Sequence, residues 1–301
     1  MRVVSLLPSA TEIVFALGVE PVGVSHECDH PPAARDIPAV NRSRIDADAS
    51  SAEIDAQVRE AADGDGVYSI DRERLAQLDP DIVISQGICD VCAVDEVRVR
   101  EAVASLGLDT EVLTTDPHSL EDVLTDIERI GAALGQEDRA KVLRTDLEAR
   151  IDAAANRATG KAPRVAVLDW LEPPMVAGHW IPGMVQRAGG IYGLADPGER
   201  SRPREWTTIR EYDPEILIAA PCGFDVEQTL ADRHYLTDRP GWGDIAAVRR
   251  DNVYVFDGHH YVNRPGPRLV DTLEAFVEVF DDQPAAFDTA VGRSLEPLGR
   301  A

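Results

Sequence analysis

Short apolar runs alternate with amphipathic stretches along this chain, and the alternation stops once and then restarts. Val3 to Leu7 is an apolar run. PSATEIVFALG follows it, with Ser9 as the expected N-cap, Glu12 three residues later, apolar Ile13, Val14 and Leu17, and Gly18 as the stop. This spacing predicts a strand, a loop and a helix. VGVSH (22–26), DIVIS (81–85) and TEVL (110–113) read as further strands with helical patterns between them, which is the signature of a parallel sheet with crossover helices.

From Ser119 to Gly160 the strand signal vanishes. SLEDVLTDIERIGAALG places Leu120, Val123, Leu124, Ile127, Ile130 and Leu134 at helical spacing, and Gly135 closes the pattern. A second helix is predicted from Glu137 to about Ala158, with Val142, Leu143, Leu147 and Ile151 on one side; its length, about 33 Å at the helical rise, suits a tie between lobes. After Pro163 strands resume at RVAVLD (164–169), EILIAA (215–220) and VYVF (253–256). The halves echo one another: LAQLDPDIVISQG (75–87) parallels IREYDPEILIAAP (209–221), each with an Asp-Pro turn between helix and strand. The expected fold class is therefore α/β, with two related lobes of parallel sheet joined by a long helix. The boundaries read as 1–117 for the first lobe, 118–162 for the connecting helices, 163–281 for the second lobe and 282–301 for a C-terminal extension.

Composition agrees with two domains: 301 residues are too many for one ordinary core, and 44% are hydrophobic. No run of eighteen apolar residues is present, so a soluble protein that is not membrane-embedded is expected. Charge narrows the partners. The chain has 54 acids against 30 bases, a net charge of −24 that disfavours nucleic acid, and Lys141 and Lys161 are its only lysines. The acids are spread along the sequence, a pattern suited to a salt-rich (halophilic) setting. Met1-Arg2 runs straight into the first strand, so the expected location is cytoplasmic, or extracytoplasmic if a leader has been removed.

Ligands of open parallel sheets sit at the carboxyl ends of the strands, and the unusual residues of this chain cluster there. SHECDHPP supplies His26, Cys28 and His30; QGICDVC supplies Cys89 and Cys92; WLEPPMVAGHW supplies Trp170, Glu172, His179 and Trp180. PCGFD supplies Cys222 and Phe224, and DGHHYVNRPGPR supplies His259, His260, Tyr261, Arg264 and Arg268. The spacing of Cys89 and Cys92 is that of half a zinc site, which Cys28, Cys222 or histidines could complete; a redox pair, a disulfide and a plain polar turn are the other readings. His259 and His260 are candidate metal ligands or exposed loop residues. Trp170, Trp180 and Trp206 could floor a pocket for a flat ligand or anchor the lobe core. Arg264 and Arg268 flank PGP at a helix entry, where they could hold an anionic group or merely solvate a surface. No dinucleotide, Walker or nucleophile-elbow motif follows any strand.

Taken together, RVVSLLPSATEIVFALG, VGVSHECDHPP, LDPDIVISQGICDVCAV, PPMVAGHWIPGMVQRAGG, APCGFD and NRPGPRLVD resemble a known family. It is the cobalamin-type substrate-binding proteins of ABC importers, a periplasmic-binding-protein-like group within the helical-backbone metal-receptor superfamily, here in a leaderless branch. The resemblance runs from about residue 2 to 280. It implies two Rossmann-like lobes, a backbone helix, a ligand clasped between the lobes, and delivery to an ABC permease. Members take corrinoids, haem, ferric siderophores or bare metal ions.

The expected function is capture of a corrinoid (cobalamin-like) or related metal chelate by a monomer that is not an enzyme. Ser9, His26, Trp170, Glu172, His179, Trp180, Trp206, Phe224, His259, Tyr261 and Arg264 form the expected ligand-binding set, with His26, His179 or His259 offering a nitrogen to cobalt or iron. The alternative is a cytoplasmic metalloprotein or redox enzyme in which Cys28, Cys89, Cys92 and Cys222 hold zinc or an iron–sulfur centre.

Overall fold

The strongest apolar runs form the parallel strands because a strand covered by helices on both faces has no solvent side to alternate with. The structure is a computed structural model, and it describes residues 1–62, 66–88, 94, 96–158, 160–281 and 287–295. Twelve strands are present among them: β1 (Val3–Ser5), β2 (Gly23–Val24), β3 (Asn41–Ser43), β4 (Tyr68–Ile70), β5 (Ile82–Gln86), β6 (Glu111–Thr115), β7 (Val165–Trp170), β8 (Met175–Val176), β9 (Arg202–Pro203), β10 (Ile216–Ala219), β11 (Val253–Phe256) and β12 (Gly292–Ser294). The chain divides into two compact units. The first comprises residues 1–49, 53–117 and 121–146, and the second 50–52, 118–120 and 147–301.

In the first unit β2, β1, β5 and β6 form an all-parallel sheet in that order, and β3 pairs with β4 as a separate antiparallel ribbon. Val4, Leu6, Leu75 and Val83 are fully buried around this sheet. The first helix is Pro8–Ala16, and it corrects the expected cap: Leu7 is the N-cap, Pro8 opens the first turn, and Ser9 lies inside the helix, 5% exposed. Proline at the first helical position needs no N–H partner, so this start requires no side-chain cap. Gly18 ends the segment with φ +73, a conformation natural to glycine, and the Arg139 guanidinium occupies the space that a Cβ would fill.

In the second unit the sheet order is β12-β11-β10-β7-β8-β9. The central β11, β10 and β7 are parallel, whereas β8, β9 and β12 run antiparallel to their neighbours. The segment after residue 281 thus adds a strand to the sheet, where the weak periodicity predicted only an extension. Tyr254, Phe256, Phe276 and Phe280 are among the largest fully buried side chains, with Phe276 stacked on Phe280 at 5.5 Å and Phe287 on Phe256 at 5.5 Å.

The helix Glu137–Arg157 supplies residues to both units. Its buried stripe is Ala140, Leu147, Ile151 and Ala154, with Leu143 partly covered, a 3–4–4–3 spacing. Val142 corrects the expected face: it is off that stripe and 61% exposed. Arg150 anchors the second half, bonding Asp271 at 2.5 Å and Glu274 at 2.7 and 3.0 Å on the helix Leu269–Asp281. Among the described residues no helix is long and apolar enough to cross a membrane.

Candidate functional site

Because β11, β10 and β7 are parallel neighbours, their carboxyl ends open on one side of the second unit's sheet. The loops leaving them are knitted together by backbone bonds. Cys222 N–H donates to Asp169 O at 2.9 Å, and His259 N–H donates to Phe224 O at 2.9 Å. Gly258 lies so close to this junction that a Cβ there would stand 2.1 Å from Pro221 O, which explains why the position carries no side chain. Trp170 meets the edge of Phe224 at 5.3 Å and turns its indole N–H to Glu172 O at 3.1 Å.

After β11 the chain makes a π-helical turn, Gly258–Val262. Asp257 caps it: one carboxylate oxygen accepts the His260 N–H at 2.6 Å, and the other lies 2.8 Å from His260 Nδ1. His259 Nε2 lies 2.9 Å from Arg264 Nη2, and Arg264 is only 5% exposed. Tyr261 receives the Arg268 guanidinium 5.0 Å over its ring. The structure thus brings together Trp170, Phe224, His259, Tyr261 and Arg264 of the expected set, with Cys222 partly exposed in the same group of loops.

Beside β7 lies a second feature, a depression of about 480 Å³ lined by Glu172, Pro173, Pro174, Pro203, Arg204, Glu205, Trp206, Thr208 and Arg239. Its size is that of a small-ligand site. Trp206 is 8% exposed, stacked on Trp242 at 6.1 Å, with the Arg239 guanidinium 5.5 Å over its ring. Arg239 also bonds Glu172 Oε2 at 2.5 Å and Leu171 O at 2.9 Å. Its role was not legible in the sequence, where DRPGW shows only one of the chain's 28 arginines, the 30 basic residues less two lysines.

A third group is imidazole-rich. His179 has left-handed backbone, φ 51, held by its N–H to Glu199 O at 2.5 Å and by Gly198 N–H to its own carbonyl at 3.0 Å. Its ring lies 5.5 Å from His118 and 5.6 Å from Trp180. Trp180 itself is an anchor, 7% exposed, with its indole N–H on Val262 O at 3.0 Å.

The remaining expected residues lie in the first unit. His26 has Nδ1 3.1 Å from Asn41 Oδ1 and Nε2 2.9 Å from Glu27 Oε1. Burial disfavours its charged form, but the Glu27 and Asn41 hydrogen bonds and the Glu27 charge outweigh burial and raise its pKa. Both nitrogens face acceptors, an arrangement that suits imidazolium. Cys28 is 5% exposed, packs with Val24 and Ala34, and has Thr11 Oγ1 3.1 Å from its sulfur. Ser9 is buried in the first helix turn. Cys89 and Cys92 lie outside the described residues.

Sequence comparison aligns 91% of this chain with 86% of a vitamin B12-binding protein of Vibrio cholerae at 23% identity. It aligns 92% of the chain with 79% of an uncharacterized ABC transporter substrate-binding lipoprotein of Bacillus subtilis, also at 23% identity. Among solved structures, the periplasmic vitamin B12 binding protein of Vibrio cholerae superposes with TM-score 0.68 at 21% identity, covering 92% of this chain and 94% of that one. A periplasmic haem-binding protein from Pseudomonas aeruginosa gives TM-score 0.74 at 22% identity over 99% of both chains. The family model described as periplasmic binding protein matches residues 3–259, and the chain belongs to that family.

Proposed function

We propose that this chain is a substrate-binding protein that captures a corrinoid or a related metal chelate and hands it to an ABC permease. The observation that carries the reading is the gathering of Trp170, Phe224, His259, Tyr261 and Arg264 on loops at the carboxyl ends of β7, β10 and β11. Indole and phenyl edges offer flat apolar contact, and imidazole and guanidinium offer polar bonds to a chelate's rim or metal. Nanomolar capture needs about 12 kcal/mol, which such contacts supply without any catalytic step. The vitamin B12-binding names of several relatives favour a corrinoid, and the haem-binding titles among the fold neighbours make a porphyrin the nearest alternative ligand. Their periplasmic and lipoprotein descriptions favour capture outside the cytoplasmic membrane over the cytoplasmic location expected from the first residues. Native mass spectrometry after incubation with cobalamin, cobinamide, haemin and a ferric siderophore tests the reading. One retained chelate per chain is expected, and a chain that retains none of the four overturns it.

A further inference from the structure

We infer, on the capture reading above, that the depression beside β7 is a subsite for the neutral carboxamide arms of a corrinoid rim and discriminates against carboxylate arms. The depression adjoins the candidate ligand loops because one residue belongs to both. Glu172 accepts the Trp170 indole N–H on its backbone oxygen at 3.1 Å, and it also lines the depression.

The walls decide which hydrogen bonds a guest can make. The three prolines among them have no N–H, and Trp206 spends its indole N–H on Pro240 O at 3.0 Å. Side-chain donors therefore come from Arg204 and Arg239 and charged acceptors from Glu172 and Glu205, while the Thr208 hydroxyl serves either way. Arg239 is held in place: its Nη2 bonds Leu171 O at 2.9 Å and Glu172 Oε2 at 2.5 Å, and its guanidinium lies 5.5 Å over the Trp206 ring. Both bonds use Nη2, so among the described residues the Nη1 hydrogens of this planar group are unspent and their direction is fixed. Arg204 spends only Nη2, on Leu194 O at 3.2 Å. On the acceptor side Glu172 commits Oε2 and keeps Oε1, and Glu205 stands at the N-cap of the helix Trp206–Tyr212 without a side-chain capping bond.

Two guanidiniums against two carboxylates leave the lining without net charge. A guest carboxylate only accepts, and it adds negative charge beside Glu172 and Glu205; a guest ammonium only donates, and it adds positive charge beside the arginines. A primary carboxamide suits both sides, since its oxygen accepts a guanidinium N–H and its NH2 donates to a carboxylate while no charge is added. A corrinoid rim carries such amides on short alkyl arms, whereas a haem rim carries propionates. At about 480 Å³ the depression has room for an arm of this kind.

The test compares two probes with the same ring, cobalt and axial cyanides: dicyanocobyrinic acid heptaamide and the corresponding free acid, dicyanocobyrinic acid. Both are titrated calorimetrically at about 0.15 M salt, where the screening length is about 8 Å. The wild-type protein is expected to hold the amide roughly 10–100-fold more tightly than the acid. Glu205→Gln, at an exposed position, is expected to narrow that ratio about threefold to tenfold by strengthening the acid. Glu278→Gln, at an exposed position of the helix Leu269–Asp281 outside the lining, makes the same change in net charge and should leave the ratio as it is. Arg204→Gln should weaken the amide about tenfold. Equal wild-type affinities, a preference for the acid, or a ratio moved as much by Glu278→Gln as by Glu205→Gln overturns the inference and leaves the capture reading standing, as does a protein that retains haemin but neither corrinoid. A protein that retains neither corrinoid nor haemin overturns both.

Discussion

At the scale of single residues, the clearest energetic statement comes from Asp126, a carboxyl buried on the helix Leu120–Ala133. Burial pushes its pKa up to about 6; the Arg129 hydrogen bond and charge oppose the shift, and the charges of Asp122 and Asp116 add to it. A raised folded-state value means that the fold binds this proton more tightly than the unfolded chain does. Asp126 therefore stabilises below its ordinary value near 4, and that stability is lost as pH rises through about 6. Two pKa units correspond to about 3 kcal/mol. Asp126→Asn should remove the loss and be the more stable protein at pH 7, with a difference in chemical melts that grows between pH 4 and 6 and is level above. Parallel profiles at all pH values would contradict the assignment. Some residue roles were legible beforehand. The Asp-Pro echo marks real punctuation, since Asp79 and Asp213 each close a helix in left-handed conformation, φ 38 and 47, before β5 and β10. Arg239 and His118 were not legible, because their partners Trp206, Glu172 and His179 lie tens of residues away and no local spacing links them.

At the scale of elements, apolar runs located the parallel strands of four or more residues; β5, β10 and β11 are buried throughout, whereas β6 is buried only at Thr115. The antiparallel strands β3, β4, β8, β9 and β12 left no trace. They are two or three residues long, and β9 is exposed at both positions, so neither periodicity nor burial writes them into the sequence. The site followed the same rule: strand ends announced Trp170, Phe224 and His259, whereas the Asp257–His260 pair needed the π-helical turn to become visible. That turn depends on the close approach of Gly258 to Pro221 O. Gly258→Ala should cost about 1–3 kcal/mol and displace the following histidines, lowering both the melting temperature and chelate affinity. Unchanged affinity with a normal melting temperature would show that the loop tolerates the methyl group.

For the whole molecule, 54 acids against 30 bases leave a net charge of −24, whose self-repulsion opposes the compact state at low ionic strength. Raising salt from 0.1 to 1 M shortens the screening length from about 10 Å to about 3 Å. The melting temperature should therefore climb over that range with potassium chloride, and one that is flat would remove the salt-rich setting from the account. Family and fold were legible from segments spread over most of the chain, because strand–loop–helix punctuation survives at 23% identity. Ligand identity was not, since loops of a few side chains set it on a shared frame. Calorimetric titration of diaquocobinamide into the ligand-free protein bears most directly on that point. One site per chain with a dissociation constant well under about 1 μM is the predicted result; no binding heat with diaquocobinamide, and none with cobalamin or haemin in its place, would contradict it.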